Sequence, residues 1–177
     1  MIKRLILAVF LLLSVTAAQA DEAALPPPGV VKLHGLIGHW TGDGNMTEPG
    51  HKSHTVAIEM DCVEAAGGWA IQCSDKMTGT GINYLEGDLM GYDSQSNNYH
   101  WYAVTNAGDV RDYLAQWKGD AAFLANYTTK AGSQTVSEDM TIEFVSASEI
   151  DVTSTVTVAT RESEGLRVRL TKSDKAK

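Results

Sequence analysis

The groups in this chain that could do chemistry are a few histidines, a short run of acids and an aromatic set. His51 and His54 have an H-x-x-H spacing, with His39 and Asp61 as possible further metal ligands. Three residues apart on a strand means opposite faces, so the pair converges on a metal only if residues 51–53 form a turn. Solvated loop histidines are the plainer reading. Glu86, Asp88 and Asp93 could serve as an acid/base set. Yet Glu86 and Asp88 sit two apart on a strand flanked by glycine, and a solvated strand face is the plainer reading. His100 with a serine and an acid would suggest a hydrolase, but no G-x-S-x-G elbow exists to present the nucleophile. No residue is assigned a catalytic or metal-binding role, and no cofactor is expected.

The aromatic residues say more. Tyr99 and Trp101 share one phase of their strand, Tyr113 and Trp117 one phase of the next, and Phe123 and Tyr127 one phase of the strand after that. Facing inward, these six would line a pocket with apolar rings and a few hydroxyl and indole groups, suited to a small hydrophobic or amphipathic ligand. The alternative is that they pack the interior shut. Tyr84 and Tyr92 are further lining candidates; the inward phase of the strand from Ile82 to Asp93 stays open.

Such residues need strands to position them, and from His54 onward the dominant period is two. Val56, Ile58, Met60 and Cys62 alternate with Thr55, Ala57, Glu59 and Asp61; Leu166, Val168 and Leu170 alternate with Arg167, Arg169 and Thr171. Turn signals separate the runs at Gly67-Gly68, Ser94 to Asn97, Asn106 to Asp109, Lys118 to Asp120 and Ser163 to Gly165. The spacing predicts an all-β fold of about ten strands in an antiparallel meander. A meander of that size removes its edges by closing into an up-and-down barrel. Val31, Leu33, Leu36 and Ile37 add a short N-terminal helix.

The two cysteines test the register. A two-residue turn at Gly67-Gly68 sets Cys62 directly opposite Cys73, and in an oxidising compartment a disulfide is expected. Against it, that turn makes the two a hydrogen-bonded pair, whose wider Cα spacing suits a bridge less well. A redox role is not indicated, because nothing resembles a C-x-x-C motif.

Residues 1–20 have the three parts of a secretory signal: basic Lys3-Arg4, an apolar run from Leu5 to about Leu13, and small residues at Ala18-Gln19-Ala20. Cleavage would start the mature chain near Asp21, in the periplasm or outside the cell. The run is shorter than the ~20 residues that span a bilayer, and no later segment is apolar enough to insert. Residues 21–30 read as a leader stiffened by Pro26, Pro27 and Pro28. The formal net charge of -8 becomes more negative once Lys3 and Arg4 are lost, so phosphate backbones are repelled and nucleic acid is excluded as a partner.

The stretch from Leu36 to Gly44, LIGHWTGDG, resembles the G-x-W-x-G-x-G opening of nitrobindin-type and other lipocalin-like (calycin) barrels. The Gly67-Gly68 hairpin, Gly91-Tyr92-Asp93 and Tyr99-His100-Trp101-Tyr102 follow in an order similar to an uncharacterised exported bacterial family known as a domain of unknown function. The resemblance runs from Val31 to Lys172. It implies a barrel domain over residues 31–172 with an interior cavity and no established activity; residues 173–177, beyond it, are expected to form a disordered tail. It also implies that Gly38, Trp40, Gly42, Gly44, Gly67 and Gly68 are structural. Trp40 would close one barrel end, against Arg167 or Arg169 if either turns inward. Haem-binding members use a histidine late in the barrel, and none follows His100, so haem held that way is disfavoured. The expected function is an exported barrel that binds a small, partly apolar molecule. An enzyme using the same cavity and a structural or protein-interaction module are the alternatives; oligomeric state is left open.

Overall fold

The computed structural model describes residues 25–47 and 53–173. The signal segment, the first residues of the leader, His51 and residues 174–177 lie outside the described residues. A short helix α1 (Pro28–Leu33) and a 3-10 turn (His34–Leu36) lead into ten strands. These are β1 (Gly38–Thr47), β2 (His54–Ala65), β3 (Ala70–Gly79), β4 (Ile82–Asp93), β5 (Asn98–Thr105), β6 (Val110–Lys118), β7 (Ala122–Ala131), β8 (Gln134–Ser146), β9 (Glu149–Val158) and β10 (Arg161–Ser173). Each strand pairs with the next, and β10 returns to β1 from His39 opposite Ser173 to Thr47 opposite Gly165. The result is the closed antiparallel barrel of a lipocalin-like fold, with no unpaired edge to protect.

The β1–β10 seam depends on glycine. A Cβ placed on Gly42 would lie 1.9 Å from the Arg169 carbonyl oxygen, and one on Gly44 would lie 2.3 Å from that of Arg167. No side chain fits between the two backbones here.

The β2–β3 connection is longer than a two-residue turn. Ala65 opposite Ala70 is the last pair, and the chain turns through Ala66–Trp69, with Gly67 and Gly68 at positive φ. Lengthening the loop by one residue on each side keeps Cys62 opposite Cys73 but exchanges wide and narrow pairs along the ladder. The two cysteines form a disulfide with Cα atoms 4.1 Å apart, the separation of a narrow pair. That resolves the objection the shorter turn raised.

Pro28 occupies the start of α1, where its missing N–H costs no helical bond. The helix and the 3-10 turn cover one end of the barrel and bury Val30, Leu33 and Leu36 completely. Trp117 Nε1 donates to Gly29 O at 3.0 Å, His34 Nε2 to Gly68 O at 3.0 Å and Lys172 Nζ to Gly35 O at 3.1 Å, tying this cap to three parts of the rim. Trp40 is fully buried beneath it and donates its indole N–H to Leu36 O at 2.7 Å. The cation against Trp40 is Lys172, whose Nζ lies 4.9 Å from the ring centre. Lys172 continues the inward row Leu166, Val168, Leu170, whereas Arg169 points outward to Asp151 and Glu149 and Arg167 is exposed. The ladder shows no phase switch between Gly165 and Thr171 that would turn either arginine inward.

Candidate functional site

All six aromatic residues singled out from the sequence belong to or pack against the barrel core. They divide into two groups. Tyr99, Trp117 and Phe123 lie toward the capped end, where Trp117 meets Phe123 at 5.2 Å and Phe144 at 5.7 Å, and Tyr99 meets Phe123 edge-on at 5.7 Å. Rings fill this half of the barrel. Trp101, Tyr113 and Tyr127 form a second chain, with Tyr113 5.6 Å from Trp101 and 5.5 Å from Tyr127. It runs toward the opposite end, where the interior is hollow.

The hollow has two lobes that share Met77, Tyr84, Glu86, Met140 and Leu166. The deeper lobe, about 90 Å³, is bounded also by Met60, Asp75, Met90, Trp101 and aliphatic residues of β8, β9 and β10. The outer lobe, about 180 Å³, reaches the mouth between Met46, Arg111, Glu138, Ser154, Val156 and Glu164. Every methionine except Met1 borders one lobe or the other. Unbranched thioether side chains re-pack easily, so this wall can adjust to what enters.

Among these methionines the lining is acidic along β4, which faces inward with Tyr84, Glu86, Asp88 and Met90 and outward with Leu85, Gly87 and Leu89. This settles the open phase and corrects the reading of Glu86 and Asp88 as a solvated face. Asp88 is 3% exposed and accepts a 2.6 Å hydrogen bond from Trp101 Nε1. Asp75, on β3, lies directly opposite Glu86. Ligand oxygens of Asp75, Glu86 and Asp88 all lie within 4.8 Å of one another. Asp75 Oδ1 and Asp88 Oδ2 are shielded from solvent and receive no hydrogen bond from any group other than the partner carboxyl.

Burial, then the charge of Glu86, pushes the Asp88 carboxyl up to about 7, against hydrogen bonds from Trp101 and Asp75 that lower it. Burial, then the charges of Asp88 and Glu86, holds Asp75 well above the usual carboxylate range. Burial also raises Glu86, opposed by a hydrogen bond from the Tyr84 hydroxyl and by the Arg111 charge. Asp75 and Asp88 therefore form a pair that holds a proton near neutral pH.

Nearer the mouth, Glu138 is 7% exposed and fully engaged. It accepts from Tyr113 Oη at 2.7 Å, Arg111 at 3.0 Å and Ser154 Oγ at 2.6 Å. Burial and the Glu138 charge push the Tyr113 hydroxyl far up, so it acts as a neutral donor. None of these polar groups except Tyr113 was singled out as interior from the sequence. Ser154 and Glu138 carried one available signal, a polar residue in the inward phase of an otherwise apolar strand.

The remaining chemistry-bearing residues lie elsewhere. His100 is on the outer face, bonded to Asp112 at 2.8 Å and stacked on Tyr102. Asp93 closes the β4–β5 turn by accepting from Gln95 and Ser96. His39 donates to Asp61 at 2.9 Å beside Glu59, also on the outer face, while His54 sits at the far end of β2 opposite Met46. His54 and His39 do not converge.

A closed ten-strand barrel with one end capped and the other hollow is a lipocalin-like architecture. Among solved structures the chain is similar to the S-type phycobiliprotein lyase CpeS from Guillardia theta, with a TM-score of 0.53 and 13% sequence identity. That likeness covers 81% of this chain and 91% of the other, and at such identity it is a likeness of fold. No protein-family model matches the sequence, and no curated protein does.

Proposed function

We propose that this protein is an exported carrier barrel that binds a small, partly apolar molecule in the hollow half of its interior, as a member of the nitrobindin-related family it resembles. The observation that carries the reading is the make-up of that hollow: methionine and aliphatic side chains are interleaved with an organised polar set of Tyr84, Glu86, Arg111, Glu138 and Ser154. Apolar pockets with a few fixed polar groups are what ligand sites look like. A phycobiliprotein lyase shares the architecture. The disulfide fits an oxidising compartment, and no helix among the described residues is long and apolar enough to cross a membrane. The two lobes suit a ligand much smaller than a tetrapyrrole unless the methionines move aside. An enzymatic use of the same cavity is favoured by one feature, the proton-holding Asp75–Asp88 pair.

Native mass spectrometry of protein purified from its own compartment tests the carrier reading. A small-molecule adduct is expected, lost when Leu166→Trp or Met140→Trp fills the shared wall. A ligand-free barrel whose interior also excludes hydrophobic fluorescent probes would overturn it. Conversion of the captured molecule on incubation would establish the enzyme instead.

A further inference from the structure

The interior holds more negative charge than it can neutralise. Asp75, Glu86, Asp88 and Glu138 all point into the same half of the barrel, and Arg111 is the one cation on the cavity wall among the described residues. Its charge is already engaged by Glu138 at 3.0 Å and by Asp109 at 3.6 Å. An anionic ligand would find no uncommitted counter-charge here. At the inner lobe the imbalance is sharper, because Asp75 Oδ1 and the Oδ2 of the nearly fully buried Asp88 are shielded from solvent and receive no hydrogen bond from any protein group beyond the proton the two carboxyls share. A buried carboxylate oxygen without a donor is costly unless a proton or a cation supplies one.

We propose that the cavity takes a small organic ammonium ion, its N–H groups donating to Asp75, Glu86 and Asp88 and its apolar body lying among the methionines. This rests on the carrier reading and names the chemical class of its ligand. Three donors on one nitrogen match three carboxylates whose oxygens lie within 4.8 Å of one another. The Trp101 ring, fixed by its own bond to Asp88, borders the same lobe and adds apolar surface beside the acids. Directly around the acids, Met60, Met77 and Met90 supply apolar surface, which favours a head with a hydrocarbon body over a hydrated ion.

The site is charge-regulated by its surroundings. Asp88 faces Asp75 from β3, Glu86 from its own strand and Trp101 from β5; Asp61 on β2 adds negative charge toward Asp75, while Arg111 on β6 and Glu138 on β8 act on Glu86. An ammonium and the pair's proton compete for the same oxygens, so acid weakens binding.

Calorimetric titration of the folded protein with hexylamine, 1-hexanol and hexanoate at pH 8 and pH 5 tests this. Hexylamine is expected to bind at least tenfold more tightly than hexanol at pH 8, to lose most of that advantage at pH 5, and to lose it at both values in Asp75→Asn and in Asp88→Asn. Hexanoate is expected to bind more weakly than either. Amine and alcohol binding alike would overturn the ammonium proposal and leave the apolar carrier standing. Failure of all three to bind would overturn both readings. Calcium or zinc ions that bind without the amine, exclude it, and are lost with Asp75→Asn would make this a metal site and overturn the proposal. Circular dichroism of the two asparagine variants checks the fold; each removes a buried charge, so both are expected to fold.

Discussion

Trp101 reaches diagonally across the β4–β5 ladder, from its place opposite Met90, to hydrogen-bond Asp88 at 2.6 Å. The bond stabilises the ionised carboxylate and so opposes the burial that drives Asp88 upward. Trp101→Phe keeps an aromatic ring and removes the donor. The expected outcome is a further rise of the Asp88 carboxyl from about 7, read by carbon-detected NMR titration of the side chain. A value that stays put or falls would mean the indole does not act on this group.

Protein stability should fall as pH rises through neutrality. Asp88 holds a proton in the folded state up to about 7, whereas the unfolded chain releases it near the ordinary carboxylate value of 3.8. Between those values the fold binds more protons than the unfolded chain, so each step up in pH costs stability. The contribution is complete below the lower value and gone above the upper one. From pH 5 to pH 8 the loss from this group is on the order of 3 kcal/mol. Urea unfolding across that range should show the midpoint decline, and Asp88→Asn should flatten the curve. A midpoint that rises with pH in the parent protein would contradict the assignment.

The same strand shows where the sequence was legible and where it was not. In β2 and β10 the inward row is apolar and the outward row polar, so alternation alone located both faces, while the disulfide followed from the glycine turn that sets Cys62 opposite Cys73. In β4 the inner row carries Glu86 and Asp88 while Leu85 and Leu89 are exposed at 45% and 44%. In β6, Arg111 turns inward while Val110 and Leu114 face solvent. A period-two reading assumes that polar means outside, and here two strands invert it. Interior polar groups hold only if partners meet them, and those partners come from β5, β8 and β9, far apart in the chain. No local pattern displays that, so the barrel could be read from the sequence and its acidic wall could not. The Trp40 partner was missed for a smaller reason. The family resemblance directed attention to arginine, while the inward phase of β10 leads to Lys172.

The disulfide should contribute mainly by restricting the unfolded chain. Cys62 and Cys73 are 11 residues apart, and closing a loop of that size is worth about 3 kcal/mol on the chain-entropy model. Cys62→Ala with Cys73→Ala should lower the guanidinium unfolding free energy by that amount while leaving the far-ultraviolet spectrum of the barrel unchanged. Since both side chains are also buried, part of any excess loss is packing. No measurable change would show that the β2–β3 hairpin is already as restricted without the bond.

Two glycine substitutions separate close approach from simple flexibility. Gly42→Ala puts a methyl group 1.9 Å from the Arg169 carbonyl oxygen, a backbone atom that can move only if the β1–β10 seam opens. Overpacking against a fixed neighbour costs about 1–3 kcal/mol, and here the displaced atoms belong to the pairing that closes the barrel. Gly87→Ala, on the exposed row of β4, meets nothing within 4 Å. Its added Cβ removes unfolded-chain freedom and should be neutral or stabilising by about 0.5 kcal/mol. Thermal unfolding of the two variants side by side should place Gly42→Ala well below the parent and Gly87→Ala at or above it. Equal losses in both would mean that strand propensity, not the seam, sets the demand for glycine.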